Sequence, residues 1–375
     1  MESEQSLIAH STDVFVIGGG PAGLAAAIAA RRRGLCVMLA DHSAPGADKA
    51  CGEGLMPETL QALVRLGVQF QVCDGRPFRG IRFLNGSQSV DAGFPSSFGL
   101  GVRRTTLHAI LAEHAEACGV ELLWKTGVTG LCRDGVRLAD GVVRSRWIVA
   151  ADGGHSKVRA WSGLDPASQP ERRYGFRRHY RVEPWTDRVE VHWSDDCQFY
   201  VTPVGPQEVC VALLSRRANL RLADALPRFP ALAKRLAQAS PVSQERGATC
   251  TTVRLPRVYR GRVALVGDAS GGVDAITGQG LYLAFSQALA LADAFVAGDL
   301  THYAAAHRRL TRRPAFMGRL MLVMDGRPRL RRRVMQIFAD EPGLFARMLA
   351  VHVGSASAVD YAMNGLRLGW RLVTA

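Results

Sequence analysis

Val14-Phe15-Val16-Ile17-Gly18-Gly19-Gly20-Pro21-Ala22-Gly23 decides the fold. Four apolar residues, three of them β-branched, predict a short buried strand. Gly18, Gly20 and Gly23 follow in the G-x-G-x-x-G spacing, and the Ala-rich run Leu24 to Ala30 opens a helix. Gly18 lets the chain turn sharply out of the strand, Gly20 lets backbone N–H groups approach a pyrophosphate, and Gly23 lets helix and strand pack closely. The helix start adds a partial positive charge, about 0.3–1 kcal/mol for an anion at an exposed site. A lone G-x-G-x-x-G also occurs in ordinary loops, so context must decide. The next apolar stretch, Cys36-Val37-Met38-Leu39-Ala40, ends in Asp41, 18 residues beyond Gly23. An acid at about that spacing meets a ribose hydroxyl, which an ordinary strand–helix turn does not explain.

The chain has 375 residues, 47% apolar, enough for two domains with a large core. Met1–Thr12 is polar and acidic, a frayed tail and not a secretory signal. Ala275–Ala292 has no charged residue but carries Thr277, Gln279, Ser286 and Gln287, so it is expected to be a buried soluble helix. The eight cysteines include no C-x-x-C and no metal-like grouping with histidine; no metal is expected, and the thiols read as reduced in a cytoplasmic protein. The net charge of +14 is carried by arginine, with only four lysines. Thr301–Arg333 holds ten arginines against one acid, Asp325. A solvated helical face and an anionic membrane surface both fit the segment 308–333. Nucleic acid is not expected, because no zinc, helix-turn-helix or aromatic-basic motif accompanies the charge.

Further along, Lys49-Ala-Cys51-Gly52-Glu53-Gly54 lets backbone pass close to something bulky. A helix Glu58–Leu66 stops at Gly67, and Gly80–Phe98 is strand-like. Arg104 begins another helix, where a cation opposes the helix dipole and therefore calls for a partner such as phosphate. Val136 to Val143 is a hairpin turning at Asp140-Gly141. The strand Trp147–Ala151 delivers Asp152-Gly153, a second acid at a strand end. Tyr174 to Leu214 alternates as antiparallel strands, and a short helical stretch, Leu220–Ala239, follows. Arg262–Val266 then leads to Gly267-Asp268 and to Thr277-Gly278-Gln279-Gly280 at a helix start. From Thr301 the expected helices are Tyr303–Leu310, Ala315–Met324, Leu330–Phe338 and Gly343–Val351, punctuated by Pro314, Pro328 and Pro342.

This ordered set resembles the FAD-dependent aromatic hydroxylase and geranylgeranyl reductase superfamily, the p-hydroxybenzoate hydroxylase fold, over residues 12–300. Cys51-Gly52 and Gly267-Asp-Ala-Ser-Gly271 are similar to the reductase side; hydroxylases usually carry Gly-Asp-Ala-Ala-His, and the halogenase motif W-x-W-x-I-P is absent. The set is also similar to bacterial FAD-dependent oxidoreductases of type III polyketide pathways, a resemblance that implies a phenolic lipid substrate. The resemblance implies a discontinuous Rossmann-like α/β FAD-binding domain of the glutathione reductase type (12–75, 99–165, 255–300). An inserted antiparallel-sheet substrate domain (76–98, 166–254) and a C-terminal helical region (301–375) complete it.

It further implies that Gly18, Gly20, Pro21, Ala22 and Gly23 hold the FAD pyrophosphate and Asp41 the adenosine ribose. Arg104 is expected near the phosphates, and Cys51, Gly52, Glu53 and Gly54 near the flavin ring. Asp152-Gly153 would support FAD and a transient NAD(P)H, Gly267-Asp268 the ribityl–phosphate portion, and Gly278, Gln279 and Gly280 the pyrimidine. Cys51, His179, His192 and Tyr200 are the catalytic candidates, although each histidine also reads as an ordinary sheet residue. The implied activity is NAD(P)H- and O2-dependent monooxygenation of a lipophilic aromatic or polyketide-type substrate by a monomer or homodimer. Two alternatives stay open: reduction of isoprenoid double bonds, and a membrane-associated flavoprotein serving binding or electron transfer.

Overall fold

The computed structural model describes residues 11–95, 97–166 and 171–355, with positions 363, 365, 367–369 and 371 beyond them. Of the tail expected at Met1–Thr12, residues 1–10 lie outside these, and Ser11 and Thr12 belong instead to the first strand. The opening strand starts at Ser11, earlier than its apolar run, and lies at the centre of the first sheet. Val37–Asp41 and Gly141–Ala150 flank it in parallel, with Glu121–Trp124 and Val263–Leu265 outside them. Parallel neighbours need crossovers that cover the sheet. Pro21–Arg31, Arg104–Ala117 and Gly280–Ala297 supply one such layer, built on Leu24, Ile28, Leu107, Leu111, Phe285 and Phe295. The Asp140-Gly141 hairpin forms as expected, with Gly135–Leu138 antiparallel to Gly141–Ala150.

The second sheet runs in the order Ser240–Pro241, Glu171–Arg181, Glu208–Ser215, Cys197–Gly205, Val189–Trp193, Gly80–Asn85, Gln88–Gly93, and Arg246–Thr252 pairs with the second of these. Its pairs are antiparallel except Val189–Trp193 against Gly80–Asn85. A chain entering it at Gly80 returns only after the long excursion through the first sheet, so these two strands need not run as a hairpin.

Two expectations need correction. Pro314 does not separate two helices: Leu300–Asp325 is one helix through it. Tyr303, His307, Pro314 and Met317 are all buried. Packing on both sides of the proline outweighs the roughly 3 kcal/mol a helical proline costs. Pro328 and Pro342 do begin helices, Pro328–Asp340 and Pro342–His352. The buried helix expected over Ala275–Ala292 does not begin at Ala275: Ala275–Thr277 is a single 3-10 turn, and the α-helix begins at Gly280 after Gly278 at φ +65°, as the reading of Thr277–Gly280 at a helix start expects. Gly280–Ala297 has the length and apolarity of a membrane span, but 61% of it is buried within the protein.

Candidate functional site

The strand ends, the Cys51 loop and the C-terminal helices enclose one continuous cavity of about 1060 Å³. One end is a nucleotide cradle. Gly18 takes φ +110°, and a Cβ on Gly23 would stand 1.8 Å from the Gly18 carbonyl oxygen, so both glycines do what the motif requires. Beside Gly20 there is open space, and no side chain caps the helix it starts. The first N–H groups of that helix are therefore available to an anion. Arg104 lines the same cavity, and its buried Nε has no protein partner among the described residues. Asp41 lines it too; its oxygens accept from Gly19 N (2.6 Å) and Ser43 N (2.7 Å), fixing the carboxylate at the strand end. An uncapped helix start, an orphaned arginine nitrogen and an oriented acid together fit an extended dinucleotide diphosphate such as FAD.

The cavity is also lined by Gly18, Pro21, Ala22, Cys51, Gly52, Glu53, Gly54, Asp152, Gly153, Gly267, Asp268, Gly278 and Gly280. Asp152 additionally caps the short helix Lys157–Trp161, accepting from Ser156 Oγ and Val158 N. Gln279 and Gly23 are not in the lining: Gly23 is packed under the strand, and Gln279 turns its amide away to Glu58 Oε1 (3.1 Å) and the His352 carbonyl (2.6 Å).

The catalytic candidates divide. Cys51 lines the cavity, with the Glu53 N–H directed at its sulfur (3.4 Å). The Tyr200 ring lines it while its hydroxyl donates to the Ile276 carbonyl (3.1 Å), and burial raises its pKa. His179 and His192 do not line it, a correction to the expectation that either faces a substrate. His179 Nε2 is 2.7 Å from Glu53 Oε2, and its Nδ1 is 3.2 Å from Arg177 Nη1 and 2.9 Å from Ser243 Oγ. A guanidinium only donates, so Nδ1 accepts and the Nε2–H donates to Glu53. His192 Nε2 is 3.0 Å from Glu190 Oε2. Burial alone would raise the Glu190 pKa, but bonds from His192 and Trp185 hold it below the ordinary value. Both histidines are internal braces of the second sheet.

Glu53 organises the Cys51 loop. It sits at φ +58°, unusual for a residue with a side chain, and is 2% exposed. Its carboxylate accepts from the Arg104 N–H at the start of a helix and from His179, and Arg177 lies 3.7 Å away. Glu53, His179 and Cys210 approach one another as potential metal ligands, but Arg177 and the His179–Glu53 bond already fill this corner with compensating charge and protons.

Sequence reasoning missed a second brace. Arg173 donates to Asp274 (2.9 Å) and to Asp325 (2.8 Å), all three being nearly fully buried. Burial opposes the Arg173 charge, but the two carboxylates raise its pKa overall. Asp274 in turn accepts the Ile276 N–H, shaping the turn that lines the cavity. Asp325 ends the helix whose Met317, Leu320, Met321 and Met324 form the cavity wall, and also holds Gln198 and Arg216. No local motif marks these residues; they meet only in the folded chain. Ile81, Phe83, Val334, Phe338, Phe345 and Met348 add apolar wall, and His352 also belongs to the lining.

Residues 11–301 match the family model described as FAD binding domain. A menaquinone reductase of Mycobacterium tuberculosis is 30% identical over 301 residues, covering 72% of this chain and 73% of the relative. A digeranylgeranylglycerophospholipid reductase of Methanosarcina acetivorans is 29% identical, with 72% and 71% covered. Among solved structures, a flavoprotein/dehydrogenase from Cytophaga hutchinsonii superposes with a TM-score of 0.78 at 20% identity, covering 92% of this chain and 93% of that one. With the cradle described above, these likenesses identify the chain as a member of the FAD binding domain family, within the aromatic hydroxylase and geranylgeranyl reductase superfamily, and as an FAD-dependent oxidoreductase.

Proposed function

We propose that the protein is a flavin-dependent reductase, using NAD(P)H, of a carbon–carbon double bond in a long lipophilic substrate. The observation that carries this reading is the character of the cavity: a nucleotide cradle continuous with a chamber walled by methionine, phenylalanine, leucine and valine. Two relatives that share nearly three quarters of their length with the chain carry reductase names. Bound FAD would supply a hydride to one carbon of the double bond.

The chain's own residues do the rest. The uncapped helix start at Pro21 and Arg104 would hold the diphosphate, Asp41 the adenosine ribose, and Asp268 the ribityl–phosphate portion. Gly278 and Gly280, at the start of Gly280–Ala297, would direct the helix's positive dipole at the flavin and favour negative charge there. Asp152 and Gly153 border the space for a transient NAD(P)H. The Cys51 thiol, fixed by the Glu53 N–H, gives a proton to the second carbon, so that the substrate gains one hydride and one proton. Methionine and phenylalanine walls exclude water from the reacting carbons. In this reading the described residues of 12–75, 99–165 and 255–300 form the FAD-binding part, those of 76–98 and 166–254 the substrate sheet, and 301–355 the helical wall, the part of the C-terminal region 301–375 that the structure describes without a break.

A second reading keeps support. Oxygen transfer to an electron-rich double bond or ring needs no protein base when the carbon is already nucleophilic, and the same dry cavity suits an O2-dependent monooxygenase of a lipophilic aromatic or polyketide-type compound. Product mass spectrometry separates the two. Polyprenyl compounds and phenolic lipids, supplied with NADH or NADPH, are incubated with and without oxygen. A product heavier by about 2 Da, formed anaerobically, is expected. Turnover that requires oxygen and adds about 16 Da overturns the reductase reading.

A further inference from the structure

The outer end of the apolar cavity is marked by charge. Val323 and Leu330 belong to its lining, and Val323 is 42% exposed, so the cavity reaches the surface between the helices Leu300–Asp325 and Pro328–Asp340. Leu330 also borders a surface hollow whose other walls are Arg327, Pro328, Arg329 and Arg332. On the first helix Arg312, Phe316, Arg319 and Val323 recur at spacings of four, three and four, which places them on one face. Phe316 and Val323 are among the exposed large apolar residues. Arg329, Arg332 and Arg333 fall on one face of the second helix by the same spacing.

Arg312, Arg319, Arg327, Arg329, Arg332 and Arg333 are exposed. None of them forms an ion pair among the described residues, whereas the neighbouring Arg331 is buried and paired with Asp195. Six cations with no ion pair among the described residues lie on or next to these two helices, three of them around the hollow beside Leu330. A solvated helical face explains the arginines but not the exposed Val323 or the cavity that reaches the surface beside it. A polyanion such as nucleic acid would satisfy the charge and leave the opening pressed against phosphate.

We propose that this face docks on an anionic phospholipid leaflet, with the arginines at the headgroups and the cavity mouth turned towards the acyl chains. A lipophilic substrate then reaches the flavin without crossing water. The proposal rests on the lipophilic-substrate reading above. It adds what that reading lacks, a route of entry and an orientation.

Vesicle flotation of the FAD-loaded full chain tests it. Vesicles of phosphatidylcholine alone are compared with phosphatidylcholine mixed with phosphatidylglycerol. Binding is expected only to the anionic vesicles and is expected to weaken with added salt. Each arginine neutralised near the surface should weaken partitioning about fivefold. Arg319→Glu/Arg329→Glu/Arg332→Glu should abolish flotation, while the three lysine substitutions retain it. Unchanged flavin absorbance and FAD content in both variants establish that they are folded. Equal flotation with neutral vesicles, flotation of the glutamate variant like the parent, or preference for a nucleic-acid duplex over the anionic vesicles overturns the proposal. If flotation fails while detergent-dispersed substrate is still turned over, the docking face is wrong and the lipophilic-substrate reading stands. Salt-sensitive flotation on anionic vesicles without turnover of any lipophilic compound supports the docking face and overturns the lipophilic-substrate reading.

Discussion

Removing the Arg173 guanidinium tests the brace behind the cavity wall. Its side chain is 5% exposed and lies between Asp274, 5% exposed, and Asp325, 4% exposed. Arg173→Met leaves two buried carboxylates facing one another. Arg216, 3.2 Å from Asp325, compensates only in part, because it is 58% exposed and screened by water. Breaking a buried pair by deleting one partner costs about 3–5 kcal/mol. With the residual help of Arg216, a loss of about 3 kcal/mol is expected, roughly a hundredfold in the ratio of folded to unfolded protein. The assay is urea unfolding followed by tryptophan fluorescence, where the midpoint should fall with little change in slope. Arg173→Met/Asp274→Asn/Asp325→Asn removes the charges together and should recover at least half of the loss, because burying a neutral set requires no counter-ion. A single variant costing less than about 1 kcal/mol, or a triple variant no more stable than the single one, refutes the reasoning.

Two further outcomes follow from particular atoms. Gly23→Ala places a methyl 1.8 Å from the Gly18 carbonyl oxygen, so strand and helix must separate and the purified protein should lose its bound flavin absorbance; retention of a full complement of FAD contradicts the close-packing role. His307 and His352 are held neutral by burial, with pKa values pushed down to about 4, against about 6.5 in an unfolded chain. Below pH of about 6.5 the unfolded chain takes up protons that the folded one refuses, so this contribution to stability is complete above that pH and is lost as pH falls towards 4. The loss is up to about 3 kcal/mol per histidine, and His307→Gln should flatten the fall in urea midpoint between neutral and acidic buffer; an unchanged pH profile would falsify it.

The nucleotide cradle was legible in the sequence because it is local. A turn needing positive φ, a close approach needing glycine, and an acid at the end of the next strand are all short-range demands, so Gly18, Gly23 and Asp41 stand in a fixed spacing. The alternation from Tyr174 to Leu214 revealed strands for a similar reason: side chains change face at every residue, and burial on one face prints that period. Pro314 misled because its local cost is real, but the buried residues on either side of it repay that cost through contacts the local pattern does not contain.

The sequence by itself determined the glycine turns, the strand-end acids and the arginine-rich segment, since each depends on the residues adjacent in the chain. Tertiary structure decided which partner each buried charge received. His179 was given Glu53, and Arg173 was given Asp274 and Asp325, positions 101 and 152 residues away. A buried charge must be neutralised wherever the fold brings an opposite one within reach. That choice is made by the packing of strands and helices that no local window of sequence contains.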